Sequence, residues 1–151
     1  MVKAISTDAI WELLKTIPDP EIPAVSIVDL GIVRNVKFNN DQLKIIITPT
    51  YSGCPAFPFM KEEIIRQLEL EGITNYQINT SLAPPWTTDL MSDEVKSKLK
   101  EAGIAPPSHD VICPQCDSQN VQVISEFGST ACKALYKCIE CIEIFHHFKQ
   151  I

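Results

Sequence analysis

Four cysteines near the C-terminal end of the sequence form two C-x-x-C pairs, Cys113 with Cys116 and Cys138 with Cys141. Two residues between paired cysteines allow both thiolates to reach one tetrahedral metal ion, and two such pairs supply an all-sulfur ligand set. Because the protein then fills all four positions, the site has no place for a catalytic water and is structural. The spacing predicts a zinc ribbon with structural zinc, in preference to redox dithiols or disulfides.

Composition and length bound the class of protein. The chain has 151 residues, of which 45% are hydrophobic, and no apolar run approaches the length of a membrane span. The N-terminal residues enter a helical pattern directly and lack the features of a secretory signal. In a reducing compartment, paired cysteines are more often metal ligands than disulfides. We therefore expect a cytoplasmic globular protein, with no membrane partner, whose small ribbon needs its metal to fold.

The charge of the chain argues against a nucleic-acid partner. The formal net charge is -6, and the region from Ser108 onward holds three lysines against five acidic residues. Four thiolates on one divalent zinc add about two more negative charges. Ribbons that bind nucleic acid need clustered lysine and arginine to displace counterions from phosphates. The sequence therefore favours protein partners.

Hydrophobic periodicity and turn residues predict an α+β domain with the element order αββαβα ahead of the ribbon. The predicted elements are a helix at 6–17, strands at 27–38 and 43–48, a helix at 56–71, a strand at 76–82 and a helix at 92–103. The three prolines of 18–23 predict a rigid loop after the first helix. We place the α+β domain at residues 1–105 and the zinc ribbon at 106–151, with Pro106 and Pro107 as the linker.

A second group of candidate residues lies in the predicted α+β domain. Cys54 stands in a loop that leaves a strand and enters a helix, and the positive end of a helix lowers the pKa of a thiol. The alternative is a small buried residue that caps the helix. Asp19 and Glu21 flank Pro20 and could supply carboxylate chemistry, although capping of a turn is the commoner role of such an aspartate.

Other reactive residues have weaker assignments. His109, His146 and His147 belong to the ribbon or its linker and are surface or strand residues more often than spare ligands. Cys132 is not needed by a closed four-cysteine site, so it is either a buried strand residue of the ribbon or a free thiol available to a partner or a transient cluster. Trp86 follows two prolines and could lie in an exposed face that binds a protein partner, although an aromatic residue there is more often part of a core.

Three runs of the predicted α+β domain resemble a known family. They are DPEIP at 19–23, SIVDLGIVR at 26–34 and TPTYSGCP at 48–55. Together they are similar to the SufT-like iron-sulfur cluster assembly domain family. Further runs, at 85–91, 103–107 and 127–138, resemble the PaaD family of accessory proteins of the phenylacetyl-CoA epoxidase system of phenylacetate degradation. The resemblance covers nearly the whole chain.

The resemblance implies a non-catalytic accessory protein that helps an iron-sulfur cluster reach the reductase component of the epoxidase system. It implies that Cys54 is the reactive cysteine and that Asp19 and Glu21 form the acidic motif of a cluster-binding site. The ribbon ligands would be Cys113, Cys116, Cys138 and Cys141. Because a [2Fe-2S] cluster needs four ligands and the α+β domain offers one thiol, binding would be transient and shared with a partner, a small thiol or a second chain in a homodimer. The alternative function is a cysteine-dependent redox protein or enzyme that uses Cys54.

Overall fold

The computed structural model of the protein describes residues 5–50 and 56–150. The chain divides into two compact units, Met1–Trp86 and Thr87–Ile151. The predicted boundary at residue 105 differs from this division, because the third helix and residues 104–105 belong to the second unit. Cys54 lies outside the described residues, so its predicted place at a helix start stays a prediction.

Two helices of the first unit have the predicted amphipathic pattern. Helix α1, Thr7–Lys15, begins at Ser6, whose hydroxyl accepts a hydrogen bond from the Ala9 amide at 3.2 Å. Helix α2, Phe57–Leu70, presents one apolar face to the interior. The buried residues of the two helices are Ile10 and Leu14 in α1 and Met60, Ile64 and Leu68 in α2. Gly72, at φ 78°, follows α2 in the left-handed conformation that glycine adopts most easily.

The sheet of the first unit has three strands in the order β1-β2-β3. Strands β1 (Val33–Asn39) and β2 (Gln42–Ile47) form the predicted antiparallel hairpin, and Asn39 pairs with Gln42 across the turn. Strand β3 (Tyr76–Thr80) pairs with β2 in parallel after the crossover through α2. Alternate residues of β2 are buried, so one face of the sheet forms the core.

The first predicted strand was too long at its N-terminal end, because residues 27–32 form turns and not strand. Ser26 and Asp29 cap each other across these turns: the Ser26 amide donates to Asp29 Oδ2 at 3.1 Å, and the Asp29 amide donates to Ser26 Oγ at 3.0 Å. Gly31 adopts φ 77° directly afterwards. Ile27, Leu30 and Ile32 of this segment are buried. The sequence therefore has the apolar pattern of a strand, although the segment does not pair as one.

Trp86 is a core residue, and the predicted exposed binding face around it is wrong. Its side chain is 3% exposed, and its indole N–H donates to the Leu30 carbonyl at 2.6 Å. The two prolines before it hold the chain against Arg34, whose guanidinium donates to the Pro84 carbonyl at 2.7 Å. A buried indole needs such an acceptor, and Leu30 lies in the turn region that the sequence pattern misassigned.

The second unit combines one helix with a four-stranded sheet. Helix α3, Asp93–Glu101, is capped by Ser92 as predicted, and Val95 and Leu99 are its buried residues. The strands are β4 (Ile104–Ala105), β5 (Val121–Ser125), β6 (Lys133–Cys138) and β7 (Ile144–Phe148). They lie in the order β4-β7-β6-β5, with β5, β6 and β7 antiparallel and β4 parallel to β7.

Among the described residues, no helix is both long and apolar enough to cross a membrane.

Candidate functional sites

Two tight turns of the second unit, which we call the first and second knuckles, bring the four predicted ligands together. The first knuckle is 113–118, ahead of β5, and the second is 138–143, between β6 and β7. In each one the residue after the second cysteine has a positive φ and donates its amide to the carbonyl of the first cysteine. These bonds are Asp117 to Cys113 at 2.9 Å and Ile142 to Cys138 at 3.0 Å. The two knuckles therefore share one backbone arrangement, which is the geometry expected of a pair of metal-binding knuckles.

The sulfur atoms of the knuckles fit a tetrahedral metal ion. Cys113 Sγ lies 3.6 Å from Cys141 Sγ, and Cys116 Sγ lies 3.5 Å from Cys138 Sγ. All four lie within 4.8 Å of one another. A tetrahedral ion with metal–sulfur bonds of about 2.3 Å separates its ligands by about 3.8 Å, whereas a disulfide requires about 2.05 Å. The group is therefore a four-cysteine metal site, and no position of the tetrahedron is left for a substrate.

The electrostatics of the thiols also call for a cation. The backbone N–H of Cys141, aided by neighbouring thiols, lowers the pKa of Cys138 to about 7. The Ser118 backbone N–H lowers the pKa of Cys116, but its cysteine neighbours outweigh that effect and raise it to about 12. Four adjacent thiols cannot all ionise against their mutual repulsion. A divalent metal removes this conflict, so metal binding is coupled to proton release.

The metal site forms part of the core of the second unit. Cys113 and Cys138 are fully buried and pack in one cluster with Ala105 and Phe145. Val111, Val121, Tyr136 and Cys141 surround this cluster as half-buried neighbours. Because few apolar residues pack around the cysteines, a bound metal would supply the cross-link that this small cluster lacks.

The remaining cysteine and the histidines of the second unit stay outside the metal site. Cys132 is buried in the turn just before β6, and its sulfur lies 3.0 Å from Thr130 Oγ1. Its predicted burial is confirmed, but its predicted place in a strand is wrong. His109 is exposed and lies beside Asp110. Burial lowers the pKa of His147 and of His146, which keeps both rings neutral near pH 7.

Asp19 lies at the centre of the proline-rich loop of the first unit. Its side chain is 4% exposed, and Oδ1 accepts the amides of Glu21 at 2.8 Å and Ile22 at 2.9 Å. The Asp19 amide in turn donates to the Val25 carbonyl at 2.9 Å. This geometry is the turn-capping role that the sequence allowed, and it fixes the half-buried Glu21 at a defined point of the loop.

A groove of about 440 Å³ adjoins this loop, and the sequence pattern did not predict it. Its walls come from the end of α1, the proline-rich loop and the first turns of α2. The lining residues are Ile17, Pro18, Pro20, Phe59, Met60, Glu62, Glu63 and Arg66. Phe59 is 66% exposed, and the sequence Phe57-Pro58-Phe59 at the start of an amphipathic helix is the signal that marked an unusual surface.

Arg34 is a second residue that sequence analysis missed. Its Nε donates to Thr48 Oγ1 at 3.2 Å, and Nη2 reaches Pro84 as described above. Thr48 is buried at the end of β2, where the segment that contains Cys54 begins. Arg34 therefore ties the last described turn before that segment to the chain that leaves β3, a role that only the fold reveals.

Comparison with protein families gives two matches that follow one another along the chain. The iron-sulfur cluster assembly protein family matches residues 7–80, and the PaaD zinc beta ribbon domain matches residues 100–149. The first match coincides with α1 to β3, and the second contains both knuckles and all strands of the second unit.

Individual relatives show the same division. A protein of Escherichia coli (strain K12), provisionally named as one of the subunits of 1,2-phenylacetyl-CoA epoxidase, is 47% identical over 94% of this chain and 92% of its own length. An Fe-S protein maturation auxiliary factor of Porphyromonas gingivalis is 35% identical over 60% of this chain and 87% of its own. The auxiliary factor SufT of Staphylococcus aureus is 34% identical over 54% of this chain and 93% of its own.

Two solved structures share the fold. A domain of unknown function, DUF59, from Bacillus anthracis has a TM-score of 0.56 and 28% identity, covering 62% of this chain and 90% of its own. A conserved hypothetical protein from Thermotoga maritima has a TM-score of 0.55 and 26% identity, covering 66% of this chain and 98% of its own. The predicted α+β fold with a C-terminal four-cysteine ribbon is thereby confirmed.

Proposed function

Because the chain belongs to the PaaD family, in which an iron-sulfur cluster assembly domain precedes a zinc beta ribbon, we propose that it matures a phenylacetyl-CoA epoxidase system. In this proposal it delivers an iron-sulfur cluster to the reductase component and catalyses no reaction itself. The observation that carries the proposal is the 47% identity to the E. coli protein over 94% of the chain. The auxiliary factors related to a smaller part of the chain support the maturation role.

The four-cysteine site holds structural zinc in this proposal. Its ligands would be Cys113, Cys116, Cys138 and Cys141, and the sulfur spacing described above suits zinc. When bound, the ion supplies charge neutralisation for the thiolates and a cross-link between the two knuckles. The residues of the second unit then present a fixed surface, and the protein's own thiols are protected from oxidation because they are coordinated.

The transferred cluster would be held by Cys54 with the help of Asp19 and Glu21. A [2Fe-2S] cluster needs four ligands, and one thiol cannot retain it alone. The remaining ligands would come from a small thiol, a second copy of the chain or the recipient protein. Asp19 contributes by fixing the turn that carries Glu21, since its Oδ1 accepts two backbone amides. Weak retention suits a carrier, because a cluster with four internal ligands would not be released.

Protein components of the epoxidase system are the proposed partners. The net charge of -6 disfavours nucleic acid and anionic lipid surfaces, which both repel an acidic chain. This argument leaves proteins with basic or neutral surfaces as the partner class.

The test is anaerobic reconstitution with iron and sulfide, followed by visible absorption, on wild type, Cys54→Ser and Cys132→Ser. We expect a cluster spectrum for wild type and Cys132→Ser and none for Cys54→Ser, because serine lacks the soft thiolate that iron favours. In cells, Cys54→Ser should also lower cluster occupancy of the reductase. Full reductase occupancy with Cys54→Ser would show that the proposed mechanism is wrong. Rapid alkylation of Cys54 without cluster formation would favour the cysteine-dependent redox protein.

A further inference from the structure

The two knuckles share one backbone geometry, but the first exposes polar side chains and the second exposes apolar ones. The first knuckle exposes Gln115 and Asp117 between and after its cysteines. The second exposes Ile139, 43% accessible, and Ile142, 63% accessible. Ile144 follows at the start of β7 and is 59% accessible. We call Ile139, Ile142 and Ile144 the isoleucine patch, which lies within six consecutive residues of the chain.

Ile142 occupies a backbone position that disfavours it. Its φ is 68°, in the left-handed region. There the side chain of a β-branched residue clashes with its own backbone, and glycine, asparagine or aspartate is favoured. The corresponding residue of the first knuckle is Asp117, at φ 63°, which suits that conformation and also forms an ion pair with Lys100 at 2.7 Å. The metal knuckle requires the left-handed turn, but it does not require isoleucine there.

Burial within the protein does not account for this isoleucine. With 63% of its surface accessible, Ile142 recovers little of the conformational cost by removing apolar area from water. A residue that is both strained and exposed indicates a surface role. Ile139 in the same knuckle and Ile144, the first residue of β7, are also exposed, so three of the six residues from 139 to 144 are exposed isoleucines.

The charges around the isoleucine patch indicate which kind of partner surface is complementary to it. Glu140 and Glu143 are exposed between the three isoleucines, and Asn120 Nδ2 holds Glu140 Oε1 at 3.2 Å. Four thiolates on one divalent ion at the adjoining cysteine site would add about two negative charges. Together these negative charges outnumber the positive charge of Lys137, which pairs with Ile144 across β6 and β7. A complementary surface therefore has an apolar depression bordered by lysine or arginine.

The same charges disfavour the other occupants. In a symmetric dimer built on this patch, Glu140, Glu143 and the thiolate site would each face or approach their own copies. An anionic lipid surface would be repelled in the same way. We propose that the isoleucine patch is the docking surface for the protein that receives the cluster, the reductase component of the epoxidase system, and that the reductase carries an apolar depression bordered by basic residues. This assignment rests on the proposed function.

The test compares Ile142→Asn with wild type and with Leu70→Asn, an exposed aliphatic control at the end of α2, 68% accessible. The probes are the purified reductase and the purified oxygenase component, each measured for binding to the zinc-loaded full chain. We expect wild type and Leu70→Asn to bind the reductase equally, and Ile142→Asn to bind it at least about tenfold more weakly. Binding of wild type to the oxygenase component alone would overturn the proposal. Added salt should weaken wild-type binding because the rim contacts are ionic.

A second readout separates docking from a structural role. Asparagine tolerates the left-handed turn, so Ile142→Asn should keep its zinc and unfold at a midpoint about 1–5 °C higher than wild type. A lower midpoint would make Ile142 a packing residue and overturn the proposal.

Equal binding by wild type and Ile142→Asn would overturn the docking surface and leave the proposed function standing. Failure of wild type to bind either component would overturn the docking surface, while the reconstitution and reductase-occupancy measurements with Cys54→Ser decide the proposed function separately. A change from dimer to monomer in sedimentation of Ile142→Asn, or loss of binding to phosphatidylglycerol vesicles, would replace the recipient protein by a second copy or a lipid surface.

Discussion

The two units hold their candidate sites in different ways. The candidate site of the second unit is part of its core, whereas the acidic residues of the first unit lie in a loop beside its core, and this difference separates a structural role from a proposed functional one. In the second unit, four thiols form the middle of a small core, and Cys113 and Cys138 are fully buried there. In the first unit, a larger apolar core stands without any metal ligand among its described residues, and Asp19 organises a loop at its margin. The four-cysteine site is therefore part of the second fold, whereas in the proposed function the first unit would offer weak ligands to a transferred cluster.

The largest effect should come from Cys113→Ser, which removes one of the four sulfurs. Structural zinc contributes roughly 10–16 kcal/mol to the folding of zinc-finger peptides at neutral pH. We expect Cys113→Ser to lose metal and to unfold the second unit from about the first knuckle to β7, while the first unit keeps its structure. Zinc analysis and circular dichroism check this, with Cys132→Ser as the matched control. A Cys113→Ser protein with full zinc and a native spectrum would contradict the structural assignment.

The second effect tests whether the first unit is stable by its apolar core alone. Ile64 is fully buried in α2, and Ile64→Ala should cost about 2–5 kcal/mol through lost burial and a residual cavity. The zinc content of the second unit should stay unchanged, because its folding depends on its own metal. Denaturant unfolding followed by tryptophan fluorescence, which reports Trp11 and Trp86 of the first unit, measures its stability, and metal analysis in parallel measures the zinc content. Loss of zinc in Ile64→Ala would mean that the two units do not fold independently.

Much of this contrast could be predicted from the sequence, because it depends on local spacing. The C-x-x-C pairs predicted the metal site, and the predicted helix starts at 6 and 92 are the positions where Ser6 and Ser92 cap α1 and α3. Residues 27–32 and Trp86 could not be placed, because their burial depends on contacts between distant segments. The indole of Trp86 meets a carbonyl 56 residues earlier in the chain. The left-handed Ile142 could not be foreseen either, since nothing in its type suggests that conformation.

A smaller effect distinguishes the two roles of Asp19. Asp19→Ala should destabilise the first unit by about 1–3 kcal/mol, because two buried amides lose their acceptor. Asp19→Asn keeps a side-chain oxygen at the same place and should cost less than Asp19→Ala. Urea midpoints and cluster reconstitution on both variants separate the roles. Normal stability with lost reconstitution in Asp19→Asn would show that the negative charge itself holds the cluster.

The smallest effect is a pH dependence of the second unit that comes from His147. Its ring is buried in β7 and lies edge-on to Tyr136, with centroids 5.6 Å apart. Burial lowers its pKa below the usual 6.5, and the Pro106 backbone bond opposes this only in part. The unfolded chain therefore binds the proton first as pH falls. The stability due to the neutral ring is complete above about pH 6.5 and is lost below it, by at most about 1.4 kcal/mol per pH unit for one proton.

His147→Asn measures this contribution, because asparagine stays neutral at every pH. We expect the unfolding midpoint of wild type to fall more steeply than that of His147→Asn between about pH 7.5 and 5.5, compared at equal zinc content. His109→Asn is the control, since the exposed His109 side chain is 96% accessible and should leave the wild-type slope unchanged. Equal slopes for wild type and His147→Asn would show that the acid sensitivity of the second unit does not come from His147. It would then come from the thiolates, and the stability of this unit would depend on metal binding alone.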